Sequence, residues 1–260
     1  MARRMRRSAA RRVLAITNKK GGVGKTTTAV NLAAACVEAK LKTLIIDLDP
    51  QANATDHVRL PIEDPSAVYR VLMGKSAILP LIKETALGFW ILTGAEDVGD
   101  AQTHLQEKMK PFVLKDRIDE LPLDFEVVII DCPPAYNSLT VNALHAATRA
   151  VTPMAMEHSS LVGMEQLRTD VLANIRQRNT GLKHDVFGLN SDMQTLHARA
   201  THKEVTATLG ADFIPSVIRR DVLFKEAWSN GESILSYAPT SRGAEDIRKI
   251  RDALVQRGAL

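Results

Sequence analysis

Short apolar segments of strand length recur along the chain and alternate with helical patterns. Most of these segments are unbroken apolar runs, as expected for strands that are covered on both faces. The predicted strands are Val13–Thr17, Thr43–Ile46, Phe89–Leu92, Val127–Ile130, Ala150–Pro153, Val186–Leu189 and Phe213–Ile214. The predicted helices between them include Thr26–Lys40, Ser138–Thr148, Gly163–Arg178 and Thr201–Leu209. Such alternation predicts an α/β fold with a mostly parallel, twisted sheet and helices on both faces.

The pattern predicts one domain. We find no internal repeat and no linker rich in Gly, Pro or Ser. The least regular part is residues 57–88, which we interpret as an insertion that carries a short helix, Ser66–Met73.

Charge divides the chain into two parts. The 260 residues carry 34 Lys and Arg against 30 Asp and Glu, a net charge of +4. Six of the arginines lie in residues 1–12, which contain no acid, so the remaining 28 basic residues leave a balance of −2. We therefore predict a flexible basic arm, residues 1–12, and a single domain, residues 13–260.

The cysteines and the hydropathy favour a cytoplasmic location. Cys36 and Cys132 are the only two cysteines, and their separation fits neither a disulfide framework nor a metal-ligand spacing. No apolar stretch approaches the roughly 18 residues of a membrane span.

The segment from Val13 to Thr28 carries the clearest chemical signal. A strand runs into a glycine-rich turn and a helix follows, so backbone N–H groups and the helix N-terminus converge on one anion site. Lys25 can reach the β- and γ-phosphates of a nucleotide, and Thr26 offers a hydroxyl to Mg²⁺. The residues expected at the nucleotide are Lys20, Gly21, Gly22, Val23, Gly24, Lys25, Thr26 and Thr27. A glycine turn that merely links strand to helix is the alternative.

Two apolar strands end in acidic residues. Asp47 and Asp49 follow a short apolar run, and their spacing places them on the same side if the strand continues. Asp131 follows four β-branched residues, in the arrangement of a carboxylate that holds Mg²⁺ directly or through water. Because α/β sheets bind ligands at the carboxyl ends of strands, we expect these acids beside the glycine-rich turn. A solvated acidic turn before Pro50 is the alternative for Asp47 and Asp49.

The sequence resembles the ParA/MinD family of P-loop ATPases. The general phosphate-loop pattern has glycine where this chain has Lys19, whereas the deviant loop of the family, K-G-G-x-G-K-[ST], matches Lys20–Thr26. The family's D-x-D-P motif opens the run Asp47–Thr55, which fits the ParA branch better than the MinD branch. Similarity extends from about Val13 to Ile250.

The resemblance implies roles for individual residues. In the family, the first lysine of the loop crosses to the nucleotide of the partner subunit, which implies this role for Lys20. Such a lysine would neutralise phosphate charge during transfer, as an arginine finger does. An exposed lysine beside its own nucleotide is the alternative. The resemblance further implies that Asp49 positions the attacking water, that Asp47 lies near Mg²⁺, and that Asn190 reads the adenine edge. The expected catalytic residues are Lys20, Lys25 and Asp49, and the expected metal-binding residues are Thr26, Asp47 and Asp131.

A stretch near the end of the similarity departs from the family pattern. The family usually reads I-P-R-N-V-R-L-x-E-A there, and this region helps its ATP-bound dimer hold nonspecific DNA. Here Arg219, Asp221 and Leu223 replace the Pro, the Asn and the second Arg. We predict DNA contacts from Arg219, Arg220 and Lys225, weakened by Asp221. A solvated turn is the alternative for Arg219 and Arg220.

The resemblance implies a cytoplasmic, nucleoid-associated ATPase that slowly hydrolyses ATP with Mg²⁺. With ATP it would form a sandwich homodimer that binds nonspecific DNA, and a ParB-like partner would stimulate hydrolysis and release it. The cargo would be a plasmid, a chromosome or a protein assembly. DNA contact, partner docking and a solubilising tail all remain open for the basic arm.

Two other functions compete with this interpretation. A MinD-like membrane-associated positioning ATPase needs a basic amphipathic C-terminal helix. The segment Ala244–Leu260 has the spacing but is short of large apolar residues, and it is better interpreted as a core-packing helix. An electron-donating ATPase like the nitrogenase iron protein needs a cluster-binding cysteine between two nucleotides, and Cys36 falls in the helix after the glycine-rich turn.

Overall fold

A computed structural model describes residues 11–189 and 196–260. Within these residues, eight strands form one sheet in the order β3-β4-β2-β5-β1-β6-β7-β8. The strands are β1 Arg12–Ile16, β2 Thr43–Asp47, β3 Lys83–Glu84, β4 Trp90–Leu92, β5 Val127–Asp131, β6 Arg149–Ala155, β7 Lys183–Leu189 and β8 Phe213–Ile218. Neighbouring strands are parallel except β3 and β4, which are antiparallel.

Helices connect the strands of this sheet. They are α1 Lys25–Glu38, α2 Asn53–His57, α3 Ala67–Leu72, α4 Val98–Glu107, α5 Val113–Asp119, α6 Ser138–Ala146, α7 His158–Gln166, α8 Ala173–Arg176, α9 Leu196–Leu209, α10 Leu223–Asn230, α11 Ile234–Tyr237 and α12 Arg242–Gln256. A π-helical stretch, Leu167–Leu172, joins α7 to α8.

The sheet separates two hydrophobic cores. Along β1, Val13 and Ala15 belong to one buried cluster, whereas Leu14 and Ile16 belong to the other. The apolar runs are unbroken because side chains that point to either face are buried. The predicted α/β fold with helices on both faces is therefore confirmed.

The strand order places the ends of the chemically marked strands together. Strand β5 lies between β1 and β2, with Asp131 opposite Ile16 on one side and Asp47 on the other. Parallel strands end at the same edge of the sheet, so the loops after β1, β2 and β5 meet there.

The seven predicted strands are all present, with ends displaced by a few residues. Strand β3 was missed because its two residues pair only with the short β4. The insertion at residues 57–88 contains the predicted short helix, observed as Ala67–Leu72. Five helices were not predicted from the sequence, because they are short and carry few buried residues; they are α2, α4, α5, α10 and α11.

The boundary of the domain lies nearer the N-terminus than the sequence predicts. Arg12 opens β1, one residue before the predicted start. The guanidinium of Arg11 donates to the backbone carbonyls of Phe125 at 3.1 Å, Leu121 at 2.6 Å and Pro122 at 2.7 Å. These two arginines are thus part of the folded domain, and the rest of the predicted arm, residues 1–10, lies outside the described residues.

The final helix packs on the sheet. Its apolar residues Ile247, Ile250 and Leu254 are at most 1% exposed and belong to the core cluster that α1 and β8 share. None of the described helices has the length and apolar character needed to cross a membrane.

Candidate nucleotide-binding site

The loop between β1 and α1 is shaped to receive an anion. Gly22 has φ 69° and Gly24 has φ 74°, in the left-handed region that glycine adopts without strain. Gly24 caps α1, and no side chain among the described residues caps the free N–H groups of the first turn, which carries no acidic residue. Free amide groups and the positive end of the helix dipole therefore point at one place.

Lys25 is a buried cation with one weak hydrogen bond. Lys25 is 6% exposed, and its Nζ lies 3.4 Å from the backbone carbonyl oxygen of Lys20. Burial lowers the pKa of Lys25, and the nearby carboxylates of Asp131 and Asp49 partly offset this effect. A bound phosphate would supply the counter-charge and the hydrogen bonds that the ammonium lacks.

Asp131 is buried with both carboxylate oxygens unpaired. The residue is 0% exposed, and neither Oδ1 nor Oδ2 accepts a hydrogen bond of normal geometry from a described residue, although the Thr26 side chain lies close enough to lower the pKa of the carboxyl. Burial, and then the charge of Asp47, raise the pKa of Asp131 well above its usual value. An orphaned carboxylate beside a phosphate loop fits a site for Mg²⁺. Among the described residues no group of three or more His, Cys, Asp or Glu could hold a metal ion, so the phosphates and water would complete the coordination.

Asp47, a predicted metal-binding residue, is held by hydrogen bonds within its own loop. Its Oδ2 accepts hydrogen bonds from the backbone N–H and the hydroxyl of Thr55, both at 2.8 Å, and its Oδ1 accepts one from the Asp49 amide at 3.3 Å. Burial raises the pKa of Asp47 to about 6. The metal role of Asp47 stays a prediction, and these bonds fix the loop between β2 and α2. Local sequence could not reveal this, because Thr55 lies eight positions away.

Asp49 lines a cleft of about 460 Å³, the phosphate cleft. The glycine-rich loop, with Lys25 and Thr26, forms one part of its wall. The other lining residues have no role predicted from the sequence; they are Gln51, Asn53, Pro134 and Trp228. Gln51 and Asn53 follow the D-x-D-P motif and were accessible to motif reasoning, whereas nothing local pointed to Trp228.

A second cleft of about 470 Å³, the apolar cleft, shares Gly22, Gly24 and Thr27 with the phosphate cleft. Val23, Gly24 and Thr27 line it together with the ends of β7 and β8 and the segment 219–225. Its apolar lining residues include Leu189, Ile218, Val222, Phe224 and Ile247. The predicted adenine-reading residue, Asn190, lies outside the described residues.

Lys20 lies at the rim of the site. Its Nζ contacts Glu157 Oε2 at 3.2 Å, and the two side chains are 53% and 58% exposed. Its backbone N–H donates to the side chain of Asn18 at 3.0 Å. The side chain is thus outside the phosphate cleft that Lys25 enters.

The three predicted DNA-binding residues have different environments. Arg219 is committed to Asp246, with Nε–Oδ2 at 2.9 Å and Nη2–Oδ1 at 2.7 Å. Arg220 and Lys225 are exposed and form no ion pair with any described residue. Asp221 accepts hydrogen bonds from the amides of Leu223 and Gly243, so it holds the backbone of this segment. The charge of Arg219 is therefore paired within the domain, and its DNA contact stays a prediction.

Both cysteines are buried in the core, which makes their thiols unreactive. Cys36 and Cys132 are buried at 0% exposure. Burial raises the pKa of both thiols, that of Cys36 to about 12. Neither is placed to hold a cluster between two nucleotides, because each lies inside the core.

Comparison with known sequences agrees with this site. The AAA domain family matches residues 11–184. The chain is 34% identical to the sporulation initiation inhibitor protein Soj of Bacillus subtilis, over 90% of this chain and 94% of that protein. It is also 34% identical to the chromosome-partitioning ATPase Soj of Thermus thermophilus, over 97% of this chain and 98% of that protein.

Comparison with solved structures gives the same family. The cobyrinic acid a,c-diamide synthase of Mycobacterium smegmatis, with bound ADP and magnesium, is 31% identical, with a TM-score of 0.83 over 96% of each chain. A plasmid partition protein from Borrelia burgdorferi shares the fold, with 19% identity and a TM-score of 0.77 over 96% of this chain and 100% of that one. The protein is an ATPase that uses ATP and Mg²⁺. The chain belongs to the ParA/MinD family of P-loop ATPases, in its ParA-like branch.

Proposed function

We propose that this ATPase is a nucleotide-controlled switch that partitions or positions a cargo on DNA. With ATP, two subunits form a sandwich dimer that binds DNA without sequence preference, and hydrolysis ends that state. Relatives that are named for chromosome partitioning support this proposal, among them the ParA of Myxococcus xanthus, which is 32% identical over 95% of this chain.

The site residues divide the chemistry between binding and hydrolysis. The amides of residues 21–27 and the buried ammonium of Lys25 hold the phosphates. Thr26 and Asp131 would hold Mg²⁺, which would supply positive charge to the phosphates. Asp49, on the wall of the phosphate cleft, orients the water that attacks the γ-phosphate.

The observation that carries the dimer proposal is the position of Lys20. The exposed ion pair of Lys20 with Glu157 contributes about 0–1 kcal/mol at most, so exchanging Glu157 for a phosphate costs little. Moreover, Lys25 already provides the ammonium inside the phosphate cleft. Lys20 is thus available to neutralise charge on the nucleotide of a partner subunit.

DNA retention would depend on the nucleotide. Arg220 and Lys225 are exposed and belong to the segment that lines the apolar cleft. The apolar lining suits a nucleobase, which would pack beside Ile218 and Phe224. Nucleotide binding would then order the segment that presents the two cations, and dimerisation would double their number.

The proposal is tested by measuring DNA retention as a function of nucleotide. A fluorescent duplex of arbitrary sequence is titrated with the protein in ATP, ADP and no nucleotide, while light scattering reports the mass of the complex. We expect binding and dimer mass to rise together with ATP alone. Equal DNA affinity in ADP and ATP would contradict the switch.

The partner is a ParB-like activator or another cargo adaptor that stimulates hydrolysis. The cargo is a plasmid, a chromosome or a protein assembly on the nucleoid, with the protein in the cytoplasm. Adding such a partner together with DNA should raise ATP turnover, and a partner that leaves turnover unchanged is not the activator.

The MinD-like membrane alternative loses its main support. It needs an apolar face on the final helix, and in α12 the residues Ile247, Ile250 and Leu254 are packed in the core. The septum site-determining protein of Pyrococcus horikoshii is 23% identical to this chain and shares only its fold.

A further inference from the structure

Trp228 connects the phosphate cleft to the element that follows Asp49. Its side chain lines this cleft together with Asp49 and lies near the end of α10. The indole ring meets the imidazole of His57 edge to face, with centroids 4.5 Å apart and ring planes at 76°. His57 ends α2, and α2 begins at Asn53, four residues after Asp49.

A second contact fixes the ring of His57. Its Nε2 lies 2.8 Å from the carbonyl oxygen of Glu232, and the residue is 2% exposed. Because a carbonyl oxygen only accepts, Nε2 carries the proton in this contact. Burial lowers the pKa of His57, which favours the neutral ring. The imidazole therefore stands in one orientation against Trp228.

The connection between Asp49 and α2 is under backbone strain. Ala52 has φ 50° and ψ 34°, in the left-handed region that a residue with a Cβ rarely adopts. Such a conformation persists only where surrounding contacts hold it. Here the hydrogen bonds of Thr55 to Asp47 hold one part of α2, and the contacts of His57 hold its end.

Helix α10 also lines the apolar cleft. Phe224 and Lys225 in its first turn line the apolar cleft, and Trp228 lines the phosphate cleft. One short helix thus contacts both ends of the nucleotide site. A ligand that fills the site meets α10 twice, and α10 reaches α2 through the rings of Trp228 and His57.

We propose that Trp228 is a positioning residue for ATP hydrolysis. Its indole forms a wall of the phosphate cleft and, through His57, holds α2 so that the strained loop directs the Asp49 carboxylate into the cleft. The inference rests on the proposed role of Asp49. It predicts a loss in turnover rather than in nucleotide binding, because the P-loop contacts remain intact.

Steady-state kinetics test this role. Trp228→Ala should lower kcat by about tenfold and change KM for ATP by less than about twofold, since a displaced catalytic group affects the transition state more than the bound substrate. Trp228→Phe should restore at least half of kcat, because a phenyl ring preserves the edge-to-face contact. The double variant with His57→Ala should lose no more than Trp228→Ala alone. A kcat for Trp228→Ala equal to that of the parent overturns the inference.

Asp49→Ala, measured in parallel, separates the proposed role of Trp228 from the proposed role of Asp49. If Asp49→Ala is inactive and Trp228→Ala is fully active, the positioning role fails and the role of Asp49 stands. If both variants are fully active, the role of Asp49 itself fails.

Tryptophan fluorescence tests the position of Trp228 while its side chain is unchanged. The sequence has two tryptophans, and Trp90 pairs with Leu44 at the far end of β2 from Asp47. Trp90→Phe therefore leaves Trp228 as the single indole, and its emission should change when Mg²⁺ and ATP are added. Trp228→Phe, which retains Trp90, is the matched control and should show no change. An unchanged emission in Trp90→Phe contradicts the placement of Trp228 at the nucleotide.

Discussion

Arg219 and Asp246 form a bidentate ion pair that joins the end of β8 to α12. Two guanidinium nitrogens contact the two carboxylate oxygens at 2.9 and 2.7 Å, and the Arg219 amide donates to the same carboxylate at 3.0 Å. The side chain of Asp246 is 4% exposed, so its charge depends on this partner. The pair makes Arg219 less available to DNA than Arg220 and Lys225, which form no ion pair with a described residue.

Replacement of Arg219 should therefore affect stability. Arg219→Ala leaves a buried carboxylate without its cation, which we expect to lower the free energy of unfolding by about 1–3 kcal/mol. Arg220→Ala is the matched control and should change it by less than about 0.5 kcal/mol, because its side chain is exposed. Urea denaturation measures both. Equal stability of the two variants would show that the ion pair contributes nothing.

Replacement of Arg220 and Lys225 should affect DNA retention. The double variant Arg220→Ala, Lys225→Ala should weaken binding to every duplex alike and reduce the salt dependence, by a slope of about one per lost phosphate contact. ATP affinity must be measured in parallel, because both side chains also line the apolar cleft. Lys183→Ala, at the exposed start of β7 on the opposite edge of the sheet, is the control. An unaltered salt slope in the double variant would place the DNA contacts elsewhere.

Lys20 and Glu157 can be separated by their effects on assembly. Lys20→Ala should abolish the ATP-dependent dimer, because the partner nucleotide loses its cation. Glu157→Gln removes only the ion pair within the subunit, which is exposed, so the dimerisation constant should change by less than about fivefold. Sedimentation with ATP measures both variants. A dimer of normal strength in Lys20→Ala would assign Lys20 to its own nucleotide.

Asp131 and Asp47 should differ in their response to Mg²⁺. Asp131→Asn should abolish the gain in ATP affinity that Mg²⁺ provides, because the unpaired carboxylate is the proposed metal-binding group. Asp47→Asn weakens the bonds to Thr55, so it should lower the melting temperature and retain the Mg²⁺ effect. Titration of a fluorescent ATP analogue with and without Mg²⁺ gives the comparison. If Asp47→Asn abolishes the Mg²⁺ effect and Asp131→Asn retains it, Asp47 is the metal ligand.

The buried histidine makes part of the stability depend on pH. Burial lowers the pKa of His57 below its ordinary 6.5, so the unfolded chain binds more protons than the native one just below that pH. The contribution of His57 to the free energy of unfolding is therefore constant above about pH 6.5 and falls as the pH decreases towards the native pKa. His57→Gln, which keeps a donor for the Glu232 carbonyl, should flatten this decline between about pH 7.5 and 5.5.

The variant must be compared with the parent at each pH. His145 has a pKa lowered by burial and shifts stability in the same direction, whereas Asp47, with a pKa raised to about 6, shifts it in the opposite direction. Only the difference between parent and variant isolates His57. Melting curves that diverge by the same amount at every pH would show that its titration has no effect.

The phosphate loop and the acidic strand ends could be predicted because their chemistry is local. The glycines, Lys25 and Thr26 are consecutive, and the helix that follows them supplies its own free amides. Asp131 follows directly from an apolar run, and parallel strands that end at one edge must bring such residues together. The strands themselves were visible for the same reason, since a strand buried on both faces is apolar throughout.

What the sequence by itself determined is thus the fold class, the nucleotide site and the ParA-like family. Only the tertiary structure decided which charged side chains are free, because an ion pair forms between positions that the fold brings together. Arg219 and Asp246 are 27 positions apart, and Lys20 and Glu157 are 137 apart. The same holds for Asp47, which is bound by Thr55, and for Trp228, which reaches the cleft from a helix that follows the last strand. A residue type indicates what a side chain can do, and its partners in space decide whether it is available.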